Sequence, residues 1–336
     1  GPCGYIPLEA ALVRTEFTQR RLCITAGTIF DDLVSPARLP QLLRQTREIC
    51  GLISQLPRPA AAAGQRYPAP YLVVMDWGHP ERDFEAGHPD RAPRLSDARW
   101  AAMVDHIRQI AHLAWSGFGV RAVIHPHAGG YIEFADEIDR IAADVPAQAA
   151  GLCLDTGHLH YSGMDPASWL RRHAARLEYV HFKDIDAQVY GQVMGERIAF
   201  FDACARGVMC PIGQGVLDYP AIGATLREIG YAGCITVEQE RDPRNAGASL
   251  PDVAASLRGL YGAQVAGTLS LPAGWWLLGV LVSVLGALLA GGFIRERHRV
   301  PFLHSRPLAW GNGNLCHGPG CLKRCIRCNA AGQHNR

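Results

Sequence analysis

Several apolar runs in this chain end directly in a side chain that can bind a metal ion, and this repetition constrains the fold most. The run 151–154 has no polar alternation, which is typical of a strand buried on both faces, and Asp155 follows it at once. Thr156 and Gly157 then favour a turn, and His158 is close enough to face the same pocket. Taken alone the stretch is ambiguous, because Asp is also a favoured residue at the start of a helix.

The same arrangement recurs at 120–124, 177–180 and 234–237, with helical segments between the runs. The polar residues that follow these three runs are His125, His127, Glu133, His181, Lys183 and Glu238. Parallel strands joined by helices bring their carboxyl ends to one side of the fold. The pattern therefore predicts a parallel α/β barrel whose strand ends converge on one site.

Two more strands are predicted upstream, at 22–26 and 71–75, which makes six strand–helix units. Residues 77–94 are predicted to form a long polar loop of the kind that covers active sites. A TIM (β/α)8 barrel has eight such units. The prediction for residues 1–263 is thus a TIM-type barrel that lacks its first two strands.

Composition narrows the class of protein. The chain has 336 residues, of which 48% are hydrophobic and 19% charged, as expected for a folded core. A formal net charge of +2 does not favour nucleic-acid binding. Three cysteines lie in apolar runs, as reduced core cysteines do: Cys23, Cys153 and Cys234. Residues 1–5 do not resemble a signal peptide. A cytoplasmic barrel is expected.

The last part of the chain differs from the rest. Residues 264–299 are predicted to form a transmembrane helix with a basic flank, because 275–294 is apolar and long enough to span a bilayer. The arginines that follow this segment should stay in the cytosol. The barrel before the segment would then lie on the other side of the membrane, although no export signal is visible. A fusion or gene-model error is the alternative. Residues 300–336 are predicted to be an irregular tail, and the spacing of its four cysteines is a weak metal-binding signal.

Five segments together resemble the xylose-isomerase-like TIM barrels, and within that family they are most similar to the myo-inosose-2 dehydratases of inositol catabolism. The segments are 125–133, 154–158, 180–184, 211–215 and 237–243. The resemblance covers roughly residues 1–263. The chain departs from the family pattern at Gly130, where threonine is usual, and in lacking the first two strands.

The resemblance implies a divalent metal and a small polyol or keto-sugar substrate. The implied metal ligands are Glu133, Asp155, His181 and Glu238. The implied substrate contacts are His125, His127, His158 and Lys183. Three carboxylates with one imidazole suit Mn²⁺ or Co²⁺, with Mg²⁺ as an alternative, better than structural zinc. Because alternate residues of an extended segment point to opposite sides, at most one of His125 and His127 is expected to face the substrate directly.

The implied reaction is the dehydration of 2-keto-myo-inositol to a cyclohexane dione through a metal-stabilised enediolate. Glu133 and Glu238 are the candidate bases, and His158, His125 or His127 is the candidate acid. Lys183 would stabilise the developing oxyanion. A sugar isomerase or epimerase would use the same site, and an inactive barrel fragment tethered to a membrane is the alternative from another class. Association into a homo-oligomer is left open.

Each candidate residue also has a structural interpretation. Glu133 could be an acid that stabilises a helix N-terminus, and His181 could be a hydrogen-bonded core histidine. Lys183 could be a surface lysine at a strand end. Glu240 and Asp242 are expected to be loop residues at the rim of the site.

Overall fold

Six parallel strands form one sheet, and their order in the sheet is their order in the chain. The structure is a computed structural model that describes residues 7, 9–240 and 250–265. The strands are β1 (Ala26–Asp31), β2 (Tyr71–Asp76), β3 (Arg121–Ile124), β4 (Gly151–Asp155), β5 (Leu177–Phe182), β6 (Asp184–Ile185), β7 (Met209–Cys210) and β8 (Cys234–Val237). The six-stranded sheet has the order β1-β2-β3-β4-β5-β8, and β6 and β7 form a separate antiparallel pair.

Helices connect these strands, as in a TIM-type α/β fold. They are α1 (Ala10–Gln19), α2 (Leu39–Ile53), α3 (Pro80–Phe84), α4 (Asp97–Phe118), α5 (Ala135–Asp144), α6 (Thr156–Tyr161), α7 (Pro166–Arg172), α8 (Ala187–Glu196), α9 (Phe200–Arg206), α10 (Tyr219–Glu228) and α11 (Leu250–Val265). A 3-10 helix, Pro36–Arg38, precedes α2. The prediction of six strand–helix units is confirmed in this six-stranded half-barrel.

Every residue of β2, β3, β4, β5 and β8 is buried, which explains their largely apolar runs. The two buried charges among them, Arg121 on β3 and Glu178 on β5, form an ion pair at 2.8 Å. Five of the six predicted strands are therefore confirmed. The prediction of a strand at 22–26 is wrong, because β1 pairs with β2 only over Ala26–Asp31. Leu22 and Ile24 are instead buried in the connection from α1, where the Ile24 N–H donates to the carbonyl of Pro57.

Aromatic side chains fill the interior of the half-barrel. Tyr71 and Tyr179 are each 1% exposed, and they pack with Val73, Val123 and Cys153. The Tyr179 hydroxyl lies 2.9 Å from Thr25 Oγ1, just before β1, and 2.8 Å from Thr236 Oγ1 on β8. One side chain thus links the two ends of the sheet from the inside. Within the described residues, no strand pairs with the outer edge of β1 or β8.

The register of the strands positions the polar residues at their carboxyl ends. Asp155 on β4 is paired with His181 on β5, and His181 is paired with Thr236 on β8. The Glu238 N–H donates to the carbonyl of Phe182, so the chain stays beside β5 past the end of β8. Three chemically active side chains therefore meet at one edge of the sheet.

The segment 77–94, predicted as a loop, contains helix α3. Its residue Arg82 is fully buried and holds the segment against α5: its guanidinium donates to both Glu137 carboxylate oxygens, at 2.8 and 2.9 Å. The same guanidinium donates to the Pro93 carbonyl at 3.0 Å. The segment is thus held in place by a buried ion pair.

Within the described part of the chain, no helix combines the length and the apolar character needed to cross a bilayer. The predicted transmembrane segment 275–294 and the cysteine-containing tail 300–336 lie outside the described residues.

Candidate active site

Four side chains from different strands direct their ligand atoms to one point, and we refer to them as the tetrad. Its members are His125, Asp155, His181 and Glu238. One ligand atom from each lies within 4.8 Å of those of the other three. Asp155 Oδ2 is 3.9 Å from His125 Nε2 and 3.8 Å from His181 Nδ1. The three residues other than Glu238 are buried, and Glu238 forms the more open side.

The donor atoms of the tetrad lack hydrogen-bond partners although they are buried. This holds for both ring nitrogens of His125, for Asp155 Oδ2, His181 Nδ1 and Glu238 Oε2. His181 Nδ1 and Glu238 Oε2 are only 2.6 Å apart, but they are not aligned as a hydrogen bond. Buried polar atoms are rarely left without a partner, because the desolvation cost is not offset. Two imidazoles and two carboxylates with free donor atoms fit a divalent metal ion.

Asp155 combines its two predicted roles. Its Oδ1 accepts a hydrogen bond from the His158 N–H at 2.9 Å and so caps helix α6. Its Oδ2 faces the tetrad without a hydrogen-bond partner. The helix-capping interpretation and the site interpretation are therefore compatible, since each uses a different oxygen.

Lys183 lies between the tetrad and a second group of polar side chains. It is 1% exposed, and its Nζ is 3.4 Å from both Asp155 Oδ2 and Glu238 Oε2. Nζ also lies 3.1 Å from Glu240 Oε2 and 2.9 Å from His158 Nε2. Burial alone would lower the pKa of Lys183, but the three carboxylates hold that pKa well above its ordinary value. Lys183 is thus a buried, charged ammonium, which excludes the surface-lysine interpretation.

The Lys183 charge also determines the ionisation of its neighbours. Burial would raise the pKa of Asp155, Glu238 and Glu240, but the ammonium lowers all three below their ordinary values. The pKa of His158 is held well below its ordinary value by burial and then by the Lys183 charge. The His158 ring is therefore neutral. The Ala128 N–H donates to its Nδ1 at 3.2 Å, and its Nε2 lies 2.9 Å from Lys183 Nζ.

The second group, which we call the outer triad, consists of His127, His158 and Glu240. Their ligand atoms also lie within 4.8 Å of one another. The two imidazole rings are 4.0 Å apart between centroids. His127 Nδ1 lies 2.8 Å from the carbonyl of Ala128, to which its N–H donates. His127 Nε2 then faces Glu240 Oε1 at 3.5 Å.

The structure places both His125 and His127 in the site, whereas at most one of them was expected to face the substrate directly. Both are buried in it, His125 in the tetrad and His127 in the outer triad, with ring centroids 5.8 Å apart. Strand β3 ends at Ile124, so the alternation of an extended strand does not apply to the segment around Pro126.

Glu133, which was predicted as a metal ligand and catalytic base, belongs to neither of these two groups of described residues. Its Oε1 accepts hydrogen bonds from the Gly87 N–H at 2.7 Å and the Ser162 hydroxyl at 3.0 Å. Its Oε2 accepts from the Gly129 N–H at 2.9 Å and lies 3.4 Å from the Arg82 guanidinium. Burial raises the pKa of Glu133 to about 7, although these donors oppose the shift. Both oxygens of the carboxylate therefore have protein donors in this geometry.

The replacement Glu133→Gln separates the structural role from a ligand role. We expect the variant to lose about 1–3 kcal/mol of unfolding free energy, because the new amide NH₂ would face a backbone donor. The number of metal ions bound per folded chain should not change. Thermal unfolding and metal analysis of the same sample measure both quantities, and loss of bound metal would restore Glu133 to the ligand set.

Glu240 is the site residue that sequence reasoning missed, because it was expected at the rim. Its side chain is 19% exposed and contacts Lys183, His127 and His158. The signal was present in the sequence: Glu240 lies two residues after Glu238, so an extended segment presents both carboxylates on the same side. Asp242 lies outside the described residues.

Aromatic rings line the site beside the outer triad, and we call Phe30, Trp77 and Phe201 the aromatic wall. Phe30 and Trp77 are stacked with centroids 4.9 Å apart, and Trp77 meets Phe201 edge-on at 5.4 Å. The Phe30 ring lies 5.1 Å from His127. All three rings are half-buried, so they present apolar surface next to charged groups. Such a pairing of surfaces suits a ligand with one apolar face and many hydroxyls.

A further cluster, made of Asp32, Asp76 and His79, is engaged in hydrogen bonds with neighbouring backbone groups. Asp76 accepts from the N–H groups of Leu33 and Tyr131 and lies 3.0 Å from His79 Nε2. Asp32 accepts from two backbone N–H groups of the turn that follows it. These contacts give the cluster a structural role in anchoring the segment 77–94.

Comparison with known proteins adds family information to this geometry. The family described as xylose isomerase-like TIM barrel matches residues 51–260. An inosose dehydratase of Geobacillus kaustophilus is 40% identical over 161 residues, covering 46% of this chain and 52% of that protein. The rhizopine catabolism protein MocC of Rhizobium meliloti is 35% identical over 178 residues, covering 53% of this chain and 54% of that protein. The chain spans about half the length of these curated relatives.

Solved structures show the same fold at low sequence identity. The IolI protein with a bound zinc atom superposes with a TM-score of 0.57 at 14% identity, over 78% of this chain and 84% of that one. The 3-keto-D-glucoside 4-epimerase YcjR of E. coli gives a TM-score of 0.52 at 16% identity, over 76% and 84% of the two chains.

Proposed function

The chain belongs to the xylose isomerase-like TIM barrel family, and we propose that it is a metal-dependent lyase acting on a small keto-polyol. The observation that carries the proposal is the set of buried tetrad donor atoms that converge on one point without hydrogen-bond partners. Relatives named inosose dehydratase supply the substrate class. The reaction we propose removes one water molecule from 2-keto-myo-inositol and gives a cyclohexane dione.

The four tetrad residues would hold the metal ion. Two imidazoles and two carboxylates favour a transition metal such as Mn²⁺ or Co²⁺ over Mg²⁺, which prefers oxygen ligands. The zinc bound in the structure of IolI supports a metal of this kind on the same fold. When bound, the metal supplies Lewis-acid polarisation of a carbonyl oxygen.

The remaining residues of the site bind the substrate and move protons. The Lys183 ammonium is placed to stabilise negative charge that develops on a substrate oxygen. Glu240 is the carboxylate outside the tetrad that faces the site, so we assign to it the removal of the proton beside the carbonyl. Glu238, which belongs to the tetrad, is assigned to the metal and no longer to this step.

His127 is assigned the protonation of the departing hydroxyl group. Its Nδ1–H is held by the Ala128 carbonyl, so Nε2 is the nitrogen that gains and gives the transferred proton. The Glu240 carboxylate lies 3.5 Å from Nε2, so the proposed base and acid are neighbours. His158 is neutral and contacts the Lys183 ammonium, with Nε2 2.9 Å from Nζ.

Incubation of the purified chain with Mn²⁺ and 2-keto-myo-inositol tests the proposal. We expect the ultraviolet absorbance of an enolised dione to appear, to disappear after treatment with a chelator, and to return with added Mn²⁺. Lys183→Met should reduce turnover by a factor on the order of 100 or more. A folded, metal-loaded chain that forms no dione would contradict the dehydratase assignment.

A sugar isomerase or epimerase remains the second candidate, because groups that can transfer protons lie on two sides of Lys183. Glu240 and His127 are on one side, and His158 is on the other. Such an enzyme exchanges the proton beside a carbonyl without releasing water. Incubation in D₂O separates the two activities: deuterated keto-sugar without dione would favour the epimerase.

The aromatic wall should contribute to substrate affinity more than to turnover. We expect Trp77→Ala to weaken binding of a cyclic polyol about two- to tenfold, since an aromatic contact is worth about 0.5–1.5 kcal/mol. Isothermal titration with the unreactive probe myo-inositol measures the change. The matched control is Trp115→Ala on the outer surface of α4, where the ring is 52% exposed. Equal affinities in the two variants would remove the wall from the binding site.

A further inference from the structure

The outer triad has the composition of a metal site in its own right. Two imidazoles and a carboxylate, from His127, His158 and Glu240, are a set that binds divalent metals in proteins. The triad lies directly beside the tetrad, since the His125 ring is 5.4 Å from the His158 ring. Neighbouring sets of ligands of this kind support two-metal centres, in which the ions are about 3.5–4 Å apart.

The position between the two sets is filled by an ammonium group. Lys183 Nζ contacts one oxygen of Asp155 and one of Glu238 from the tetrad, each at 3.4 Å. It also contacts Glu240 Oε2 at 3.1 Å and His158 Nε2 at 2.9 Å from the outer triad. One positive atom thus makes the contacts that a bridging cation would make.

We propose that the Lys183 ammonium takes the place of a second cation, so that the site binds one metal ion rather than two. This inference rests on the proposed function, because it assumes that the tetrad holds a metal. Three carboxylates face the centre, Asp155, Glu238 and Glu240, with a total charge of −3. One divalent ion (+2) and Lys183 (+1) balance that charge. A second divalent ion would find no uncompensated carboxylate.

The backbone shows how the ammonium is held there. A Cβ atom built on Gly157 would lie 2.6 Å from Lys183 Cβ, so only glycine at this position leaves space for the lysine stem. The Lys183 N–H donates to Thr156 Oγ1 at 2.9 Å, and that hydroxyl lies 2.9 Å from the Lys183 carbonyl. The turn after Asp155 therefore fixes Lys183 as well as the tetrad.

Removal of the ammonium should convert the site to one that binds two ions. We expect the wild-type chain to bind one Mn²⁺ and Lys183→Ala to bind two, measured by isothermal titration with Mn²⁺ alone and by metal analysis after dialysis. Electron paramagnetic resonance should show the exchange-coupled signal of a manganese pair only in Lys183→Ala. Lys183→Arg, which keeps the charge, should bind one ion.

Further variants make the result specific. The double variant Lys183→Ala, Glu240→Gln should return to one ion, because the outer triad has lost its carboxylate. Lys183→Met provides a second test if the alanine variant fails to fold, as checked by circular dichroism. One ion in the wild type and in every lysine variant would overturn this inference alone. A wild-type chain that binds no metal would overturn the proposed function and this inference together.

Discussion

The Glu238→Gln variant is expected to lose metal binding while it keeps its fold. The change preserves the size of the side chain but replaces a charged ligand by a neutral amide. Even residues that only support metal ligands are worth about 10–100-fold in affinity, so loss of a direct ligand should cost more than about 100-fold. Removal of the carboxylate also leaves Lys183 Nζ with one partner fewer at 3.4 Å.

Thermal unfolding with and without Mn²⁺ measures this effect. A ligand at 100 times its dissociation constant stabilises the folded state by about 2.7 kcal/mol. In a domain of this size, that corresponds to a rise of roughly 5–10 °C in Tm. We expect that rise in the wild type and in the surface control Glu228→Gln, but not in Glu238→Gln. An undiminished Mn²⁺ shift in Glu238→Gln would exclude Glu238 from the metal site.

The Arg82→Met variant is expected to lose about 3–5 kcal/mol of unfolding free energy, the largest stability effect we predict for one substitution. Arg82 is fully buried, and its removal deprives Glu133 of the guanidinium 3.4 Å away and leaves Glu137 with Arg94 as its remaining positive partner. Methionine keeps most of the apolar stem of arginine, so the loss of unfolding free energy measures the effect of removing the charge. In Tm, the decrease should be roughly 6–20 °C.

The matched control is Arg172→Met, which breaks an ion pair with Asp139 on the surface, where the arginine side chain is 58% exposed. Surface pairs contribute about 0–1 kcal/mol, so Tm should change little. Chemical denaturation of both variants gives the two free energies. Similar losses in the two variants would mean that the buried pair does not hold the segment 77–94 in place.

The fold could be predicted from sequence to the extent that its strands are buried on both faces. The runs at 71–75 and 151–154 are apolar throughout, and those at 120, 177 and 234 each contain one polar residue, namely Arg121, Glu178 or Thr236. All five are strands in the structure. Strand β1 was misplaced because its residues are half-buried and include polar Thr28, whereas the apolar run before it packs in a connection. A strand at the edge of the sheet is covered on fewer sides, so its sequence is less apolar and harder to recognise as a strand.

The tetrad could have been predicted in full by applying one rule consistently. Asp155, His181 and Glu238 each directly follow a strand-like run, and so does His125 after 120–124. The resemblance placed the fourth ligand at Glu133 instead. The sequence could not predict the surroundings of Glu133. Gly129 forms a turn with a φ of +85°, and its N–H donates to the Glu133 carboxylate. The N–H of Gly87, from a distant segment, donates to the same carboxylate. Contacts of that kind depend on tertiary packing.

Anomalous diffraction from crystals grown with Mn²⁺ is the most direct measurement of the central claim. We predict a single manganese peak bonded to His125, Asp155, His181 and Glu238, with Glu133 bound only to its protein donors. A peak coordinated by Glu133, or the absence of any peak among these four side chains in crystals of Mn²⁺-saturated protein, would contradict it.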